Sequence, residues 1–234
     1  MKSINKSFLT LGVIGAGLFA LPSASYAVSL SHLSSDIEYN DIVKDDAFVA
    51  EGRIGGKSTY ELDIHTLEDE NNTFSVHTQK DFSWQNGVAQ AFELKYNAAS
   101  KIATYIVGNE TLTYSVKNPF SDIFIRTRSV DGSSISINNL NLNGKAINGI
   151  SSIQNNALDY LRIEGVDGSF NLKGDSIMKW AGTTPPKNSS LAYQIKAVTV
   201  KTRRKVPEPS LTLGLVVGGV VLGLKKRCQQ QVES

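Results

Sequence analysis

Two carboxylates and two imidazoles stand close together in the first half of the chain, at Glu61, Asp63, His65 and His77. Side chains two residues apart on an extended strand share one face. Carboxylates beside imidazoles on one face suit a transition-metal ion or acid–base chemistry. The local pattern is β: Tyr60, Leu62 and Ile64 alternate with Glu61, Asp63 and His65, a polar run over residues 68–72 makes a turn, and Phe74 and Val76 resume the alternation. The expectation is a hairpin with one wet face. Pairing Leu67 with Thr73 sets Asp63 opposite His77 and His65 opposite Ser75. On that register Asp63, His65 and His77 are the candidate metal ligands. The competing reading, a polar sheet face that is simply solvated, is favoured, so no metal or other cofactor is assigned. His32 stands by itself in a Ser-rich segment.

A second kind of chemistry is suggested by Trp84, Trp180 and Tyr193, whose aromatic faces could stack on sugars. Against it stands the plainer reading that Trp180, beside the Pro-containing loop of residues 180–190, plugs one end of a core. The motifs of other chemistries, G-x-S-x-G, HExxH, a Walker loop, a dinucleotide fingerprint and cysteine-based zinc patterns, do not occur in the sequence. No catalytic residue is nominated.

The elements that must carry these residues read as short strands separated by turns. Residues 47–53 form a candidate strand before Gly55-Gly56, and the passage ahead of it is acidic and weakly periodic. Asn86-Gly87 marks a turn, Phe92, Leu94 and Tyr96 an alternating strand, and Gly108-Asn109 a hairpin turn of type II′ between residues 101–107 and 110–116. Strands follow over residues 122–128 and 134–142, with turns at Asp131-Gly132 and Asn143-Gly144. Ile135 and Ile137 are out of phase with Leu140 and Leu142, and a bulge near Asn138-Asn139 repairs the phase. Residues 155–161 read as one helical turn, 161–166 and 169–173 as strands, and Leu191, Tyr193 and Ile195 open the last one. Val130-Asp131-Gly132-Ser133 recurs as Val166-Asp167-Gly168-Ser169, and with no further acidic ligands nearby the two copies read as separate turns rather than calcium loops. The fold class expected is all-β, an antiparallel β-sandwich of jelly-roll-like kind.

Address segments flank that domain. Lys2 and Lys6, an uncharged core over residues 8–21 and Ser25-Tyr26-Ala27 have the layout of a secretory signal peptide cleaved after Ala27. At the other end Pro207-Glu208-Pro209 precedes an uncharged run over residues 211–224, and Lys225-Lys226-Arg227 forms a basic stop. As a helix that run spans about 21 Å, short of the roughly 30 Å hydrocarbon core, so it is a marginal single transmembrane helix. Its glycines at 214, 218, 219 and 223 make small-xxx-small patterns suited to close helix packing. The positive-inside rule keeps the basic stop cytoplasmic and everything before Val206 outside. The organisation expected is a signal peptide (1–27), a secreted sandwich (28–200), a basic stalk with the Pro-Glu-Pro tag (201–210), a sorting helix with its stop (211–228) and a polar tail (229–234).

Composition bounds the partners. Residues 28–200 carry 15 Lys and Arg against 20 Asp and Glu, a net −5, which argues against nucleic acid. The single cysteine, Cys228, lies beyond the basic stop, so the exported part forms no disulfide and depends on packing. The basic run Lys201-Thr202-Arg203-Arg204-Lys205 reads as a solvated, membrane-proximal stalk.

The composite of Pro207-Glu208-Pro209, apolar run and Lys225-Lys226-Arg227 closely resembles the PEP-CTERM sorting signal. That resemblance covers about the last 25 residues. It implies recognition by an exosortase, a membrane-embedded transpeptidase-like enzyme of Gram-negative bacteria that make extracellular polysaccharide. Trp84, Asn86-Gly87, Phe92-x-Leu94-x-Tyr96 and Val107-Gly108 further resemble choice-of-anchor domains of the W type, which carry no assigned catalytic residues. The two resemblances imply an exported, non-catalytic surface or extracellular-matrix protein. Its expected partners are the processing enzyme, the membrane through the C-terminal helix, and exopolysaccharide. A carbohydrate-binding module is the alternative, and a secreted hydrolase or metal-dependent enzyme comes last.

Overall fold

The computed structural model describes residues 28–55, 60–67, 74–149 and 151–201. The signal cleavage site at Ala27, the Pro207-Glu208-Pro209 tag, the sorting helix and the basic stop at Lys225, Lys226 and Arg227 lie outside them. Among the described residues no helix is long and apolar enough to cross a membrane.

The chain opens with β1 (Leu30–Leu33), α1 (Asp36–Ile42), β2 (Val43–Ile54), β3 (Tyr60–Leu67), β4 (Phe74–Asp81), β5 (Ala89–Asn97), β6 (Ile102–Val107) and β7 (Glu110–Ser115). It continues with β8 (Asp122–Arg128), β9 (Ser133–Leu142), β10 (Lys145–Ala146), β11 (Ser151–Gln154), β12 (Leu158–Ile163), β13 (Phe170–Trp180) and β14 (Leu191–Val200). Two antiparallel sheets result. One runs β1-β12-β8-β14-β2-β3-β4, the other β10-β9-β13-β5-β6-β7 with β11 also on β9. Strip away the edges and eight strands remain, ordered β2-β14-β8-β12 in one sheet and β5-β13-β9-β11 in the other. In sequence order these eight strands switch sheet at every step except from β9 to β11, which both lie in the second sheet, as in the two Greek keys of a jelly roll.

Two hairpins widen that scaffold on one side. β3 and β4 extend the first sheet beyond β2, and β6 and β7 extend the second beyond β5. The extensions meet where His77 of β4 stacks on Tyr114 of β7 at 4.3 Å between centroids. Between the sheets lies one core in which Phe48, Leu62, Ile64, Leu94, Tyr105, Leu112, Ile125, Ile137, Leu172 and Tyr193 are fully or almost fully buried.

Several expected turns fall where the sequence puts them. Gly108 alone of its turn pair has positive φ (57°), as a type II′ turn requires, and Asn143 and Gly144 both have positive φ (54° and 84°), as type I′ requires. The phase break in β9 is a bulge: Asn139 adopts φ 52°, and the pairing with β13 slips between Lys173 and Asp175. The two Val-Asp-Gly-Ser segments form different turns, since Gly132 has positive φ (71°) while in the second copy it is the earlier Gly165 (φ 76°).

Three local features differ from expectation. Residues 155–161 hold no helical turn; Asn155 and Asn156 reverse the chain with φ of 54° and 58°, and β12 begins at Leu158. The strand expected over 47–53 is longer, covering Val43–Ile54. The acidic passage before it contains α1, started by Ser35, whose hydroxyl accepts from the Glu38 amide while the Glu38 carboxylate takes the Ser34 amide at 2.7 Å. This helix closes over the outer face of the first sheet. Tyr39 stacks on Tyr160 at 4.7 Å, meets Phe124 edge-on and lies under the Lys196 ammonium at 4.9 Å.

The first described strand enters the sandwich, and the last leaves it, at the same end. Leu30 pairs with Ile163, Ile163 with Ile123 and Ile123 with Ala197, three residues before β14 ends.

Candidate functional site

The most concentrated chemistry sits on the outer face of β2 and β3. Gly52, Leu62 and Tyr193 occupy one row of the sheet and turn toward the core. The neighbouring row, Glu51, Asp63 and Gln194, must therefore point outward, and so must His65, paired with Val49 two rows along. Outward does not mean wet here: Asp63 is 0% exposed, His65 5% and Glu51 7%. Within this patch His65 Nδ1 lies 2.8 Å from Asp63 Oδ1 and 4.0 Å from Glu51 Oε2. Arg53 donates through Nη1 to Glu51 Oε2 at 3.0 Å and to Asp63 Oδ2. One ligand atom from each of Glu51, Asp63 and His65 lies within 4.8 Å of the others.

The electrostatics follow from the crowding. Burial, and then the Asp63 charge, push the Glu51 carboxyl above its ordinary value, while Arg53 and His65 act the other way. Burial works against the Arg53 charge, but the Glu51 and Asp63 carboxylates outweigh it and hold the guanidinium more firmly protonated. Two carboxyl groups thus share one guanidinium, and the His65 imidazole lies against the other oxygen of Asp63.

His77 takes no part in this group. β3 and β4 pair His65 with Val76 and Asp63 with Gln79, not with Ser75 and His77. The register slips between Ile64 and His65, leaving His77 as the extra residue of a bulge. Its ring stacks on Tyr114, and Nε2 lies 2.9 Å from Thr66 Oγ1. Glu61 falls at a second slip, between Tyr60 and Leu62, and is outside the group of converging atoms. In their place stand Glu51 and Arg53, which sequence alternation in β3 and β4 could not supply because they come from β2. The available signal was Glu51-x-Arg53 directly after the apolar run Ala47-Phe48-Val49-Ala50 of the same strand. His32, on β1, sits 3.1 Å from Asp159 Oδ1.

The aromatic candidates are brought to the opposite end of the sandwich from the chain ends. Asn86 grips the backbone of Trp180, accepting from its amide at 3.0 Å and donating to its carbonyl at 2.9 Å, which joins the segments of Trp84 and Trp180. Both indoles are half-buried and pack on the core. The Trp84 N–H donates to Arg53 O at 2.9 Å, and its ring meets Phe82 edge-on at 4.7 Å. Tyr193 is no surface aromatic. It is 0% exposed, its hydroxyl lies 2.6 Å from that of Tyr105, and its ring fills the space over Gly52, where a Cβ would come within 2.6 Å. That placement withdraws Tyr193 from any sugar-stacking surface.

No family model and no curated protein matches the chain. A cleft of about 600 Å³ opens at the end where the chain enters and leaves, between Leu30, the Asn143–Ile147 turn region and Asp167. It is remote from both the Glu51 group and the tryptophans.

Proposed function

We propose that this is an exported, non-catalytic surface or extracellular-matrix protein, sorted by a C-terminal signal of the PEP-CTERM kind and associated with exopolysaccharide. One observation carries the reading: the sandwich fills the interval between the two address segments, from Leu30 to Val200, and both its ends leave from the same end of the fold. A domain built that way emerges from a cleaved leader and stands on a C-terminal stalk without either end crossing its own body. The basic stalk then faces the membrane, and the end bearing Trp84 and Trp180 faces outward. The signal peptide directs export; the short apolar run holds the chain for a processing enzyme that reads Pro207-Glu208-Pro209. Changing those three residues to alanine, in a host with a matching exosortase, leaves export intact and accumulates a longer membrane-bound form. Normal release of the altered chain would contradict this reading.

A carbohydrate-binding module is the second reading, supported by the union of the Trp84 and Trp180 segments at the outward end. A glycan array probed with the wild type and with Trp84→Ala tests it. Binding that disappears in the variant while the fold persists would put this reading first.

A further inference from the structure

The Glu51 group has the composition of a cation site: two carboxyl groups and an imidazole, all buried, with one ligand atom from each within 4.8 Å of the others. Among the described residues, Arg53 is the one guanidinium that contacts both Asp63 and Glu51. The Arg53 side chain is 16% exposed, more than Glu51 (10%), His65 (7%) or Asp63 (0%), so the guanidinium is the layer between the carboxylates and water. It contacts Oδ2 of Asp63, whereas the imidazole meets Oδ1, so the two partners use different oxygens. Among the described residues, Lys196, two residues beyond Gln194 on β14, is taken by Asp46 at 3.4 Å and by the Tyr39 ring. From β4 and β14 the groups paired with Asp63 and Glu51 are the uncharged Gln79 and Gln194.

We propose that Glu51, Asp63 and His65 bind one first-row divalent transition ion, which takes the place of the Arg53 guanidinium. Two carboxylate oxygens and one imidazole nitrogen are a mixed oxygen–nitrogen set suited to Zn²⁺, Mn²⁺ or Fe²⁺ rather than Ca²⁺, which takes six to eight oxygens. With a divalent ion bound, the guanidinium swings to solvent and both carboxylates keep a cationic partner. His65 Nδ1, 2.8 Å from Asp63 Oδ1 in the metal-free patch, turns to the ion as a neutral imidazole ligand. Bound between β2 and β3, the ion clamps the β3–β4 extension onto the jelly-roll scaffold. Arg53 is the resident cation that keeps the ligands in place without metal.

The test uses the full chain, solubilised and stripped with chelator, titrated calorimetrically with ZnCl₂ and with MnCl₂. The expected result is one ion per chain for at least one of the two metals and a higher melting temperature with it. His65→Gln and Glu51→Gln each weaken binding by more than about tenfold, the least that loss of even an outer-shell partner costs a metal site. His32→Gln and His77→Gln leave it unchanged. Arg53→Met binds more tightly, because no cation has to be displaced; this variant also decides the matter if the ligand variants do not fold. Absence of stoichiometric binding by the wild type, binding indifferent to His65 and Glu51, or equal or weaker binding by Arg53→Met would each overturn the proposal and leave a structural ion cluster.

Discussion

Glu51 and Asp63 face each other across β2 and β3 with one guanidinium between them, and this has a consequence for stability. Glu51 holds its proton more tightly in the folded chain than in the unfolded one, because burial and the Asp63 charge oppose ionisation. The folded state therefore binds more protons than the unfolded state between the ordinary carboxylate range and the raised native value, and stability falls as pH rises through that window. Denaturant melts of metal-free protein across acid to neutral pH show the slope, and Glu51→Gln removes that part of it. A slope unchanged in the variant would place the titration elsewhere. Trp180 gives a second residue-scale expectation. Its indole is half-buried against the core, so Trp180→Ala lowers stability by about 2 kcal/mol or more while glycan binding changes little. Unchanged melting with lost binding would reverse the ranking of the two functional readings. Asp63 and His65 were legible as a pair from their spacing. Their burial was not, since alternation separates faces without saying what lies over each. His77 was misplaced for a different reason: one extra residue in β4 turns a side chain to the opposite face, and the sequence of residues 74–81 has no glycine or asparagine to announce it.

Among the elements, β9 shows the opposite case. Ile135 and Ile137 lead into Leu140 and Leu142 out of phase, and Asn-Asn at the break offers a residue that tolerates left-handed backbone. Asn139 takes that conformation, and its amide donates to Asp175 Oδ2 at 2.7 Å across the bulge. Asn139→Val is expected to cost roughly 1–2 kcal/mol, read by chemical denaturation, whereas Asn139→Gly stays close to wild type. Equal loss in both would mean the hydrogen bond, not the backbone, sets the cost. The hairpin turns were legible on the same grounds, through Gly108, Asn143 and Gly144. Helix α1 was not, although Ser35-x-x-Glu38 is a capping signal. The helix is only seven residues long, and its single buried residue, Tyr39, gives no helical period to detect. The same brevity explains β12: Asn155 and Asn156 look like a helix start, but their positive φ makes a turn into a strand.

At the scale of the molecule, local alternation and turn residues sufficed for an all-β sandwich. The order of strands in the sheets did not follow from them, because each long-range pairing is decided by which faces bury together. Nor could the sequence show that β1 joins β12, or that β1 starts and β14 stops at the same end of the first sheet. On the function proposed above, the apolar run of about 21 Å is a poor permanent anchor for a bilayer core of roughly 30 Å, and the membrane-bound chain is an intermediate cut at the tag beside that run. Intact-mass measurement of the surface-exposed wild-type protein, in a host with a matching exosortase, tests this most directly. The account predicts a chain that begins at Val28, ends between Pro207 and Ser210, and lacks Cys228. Recovery of Cys228 in all of the surface-exposed protein would contradict it and make the segment a plain anchor.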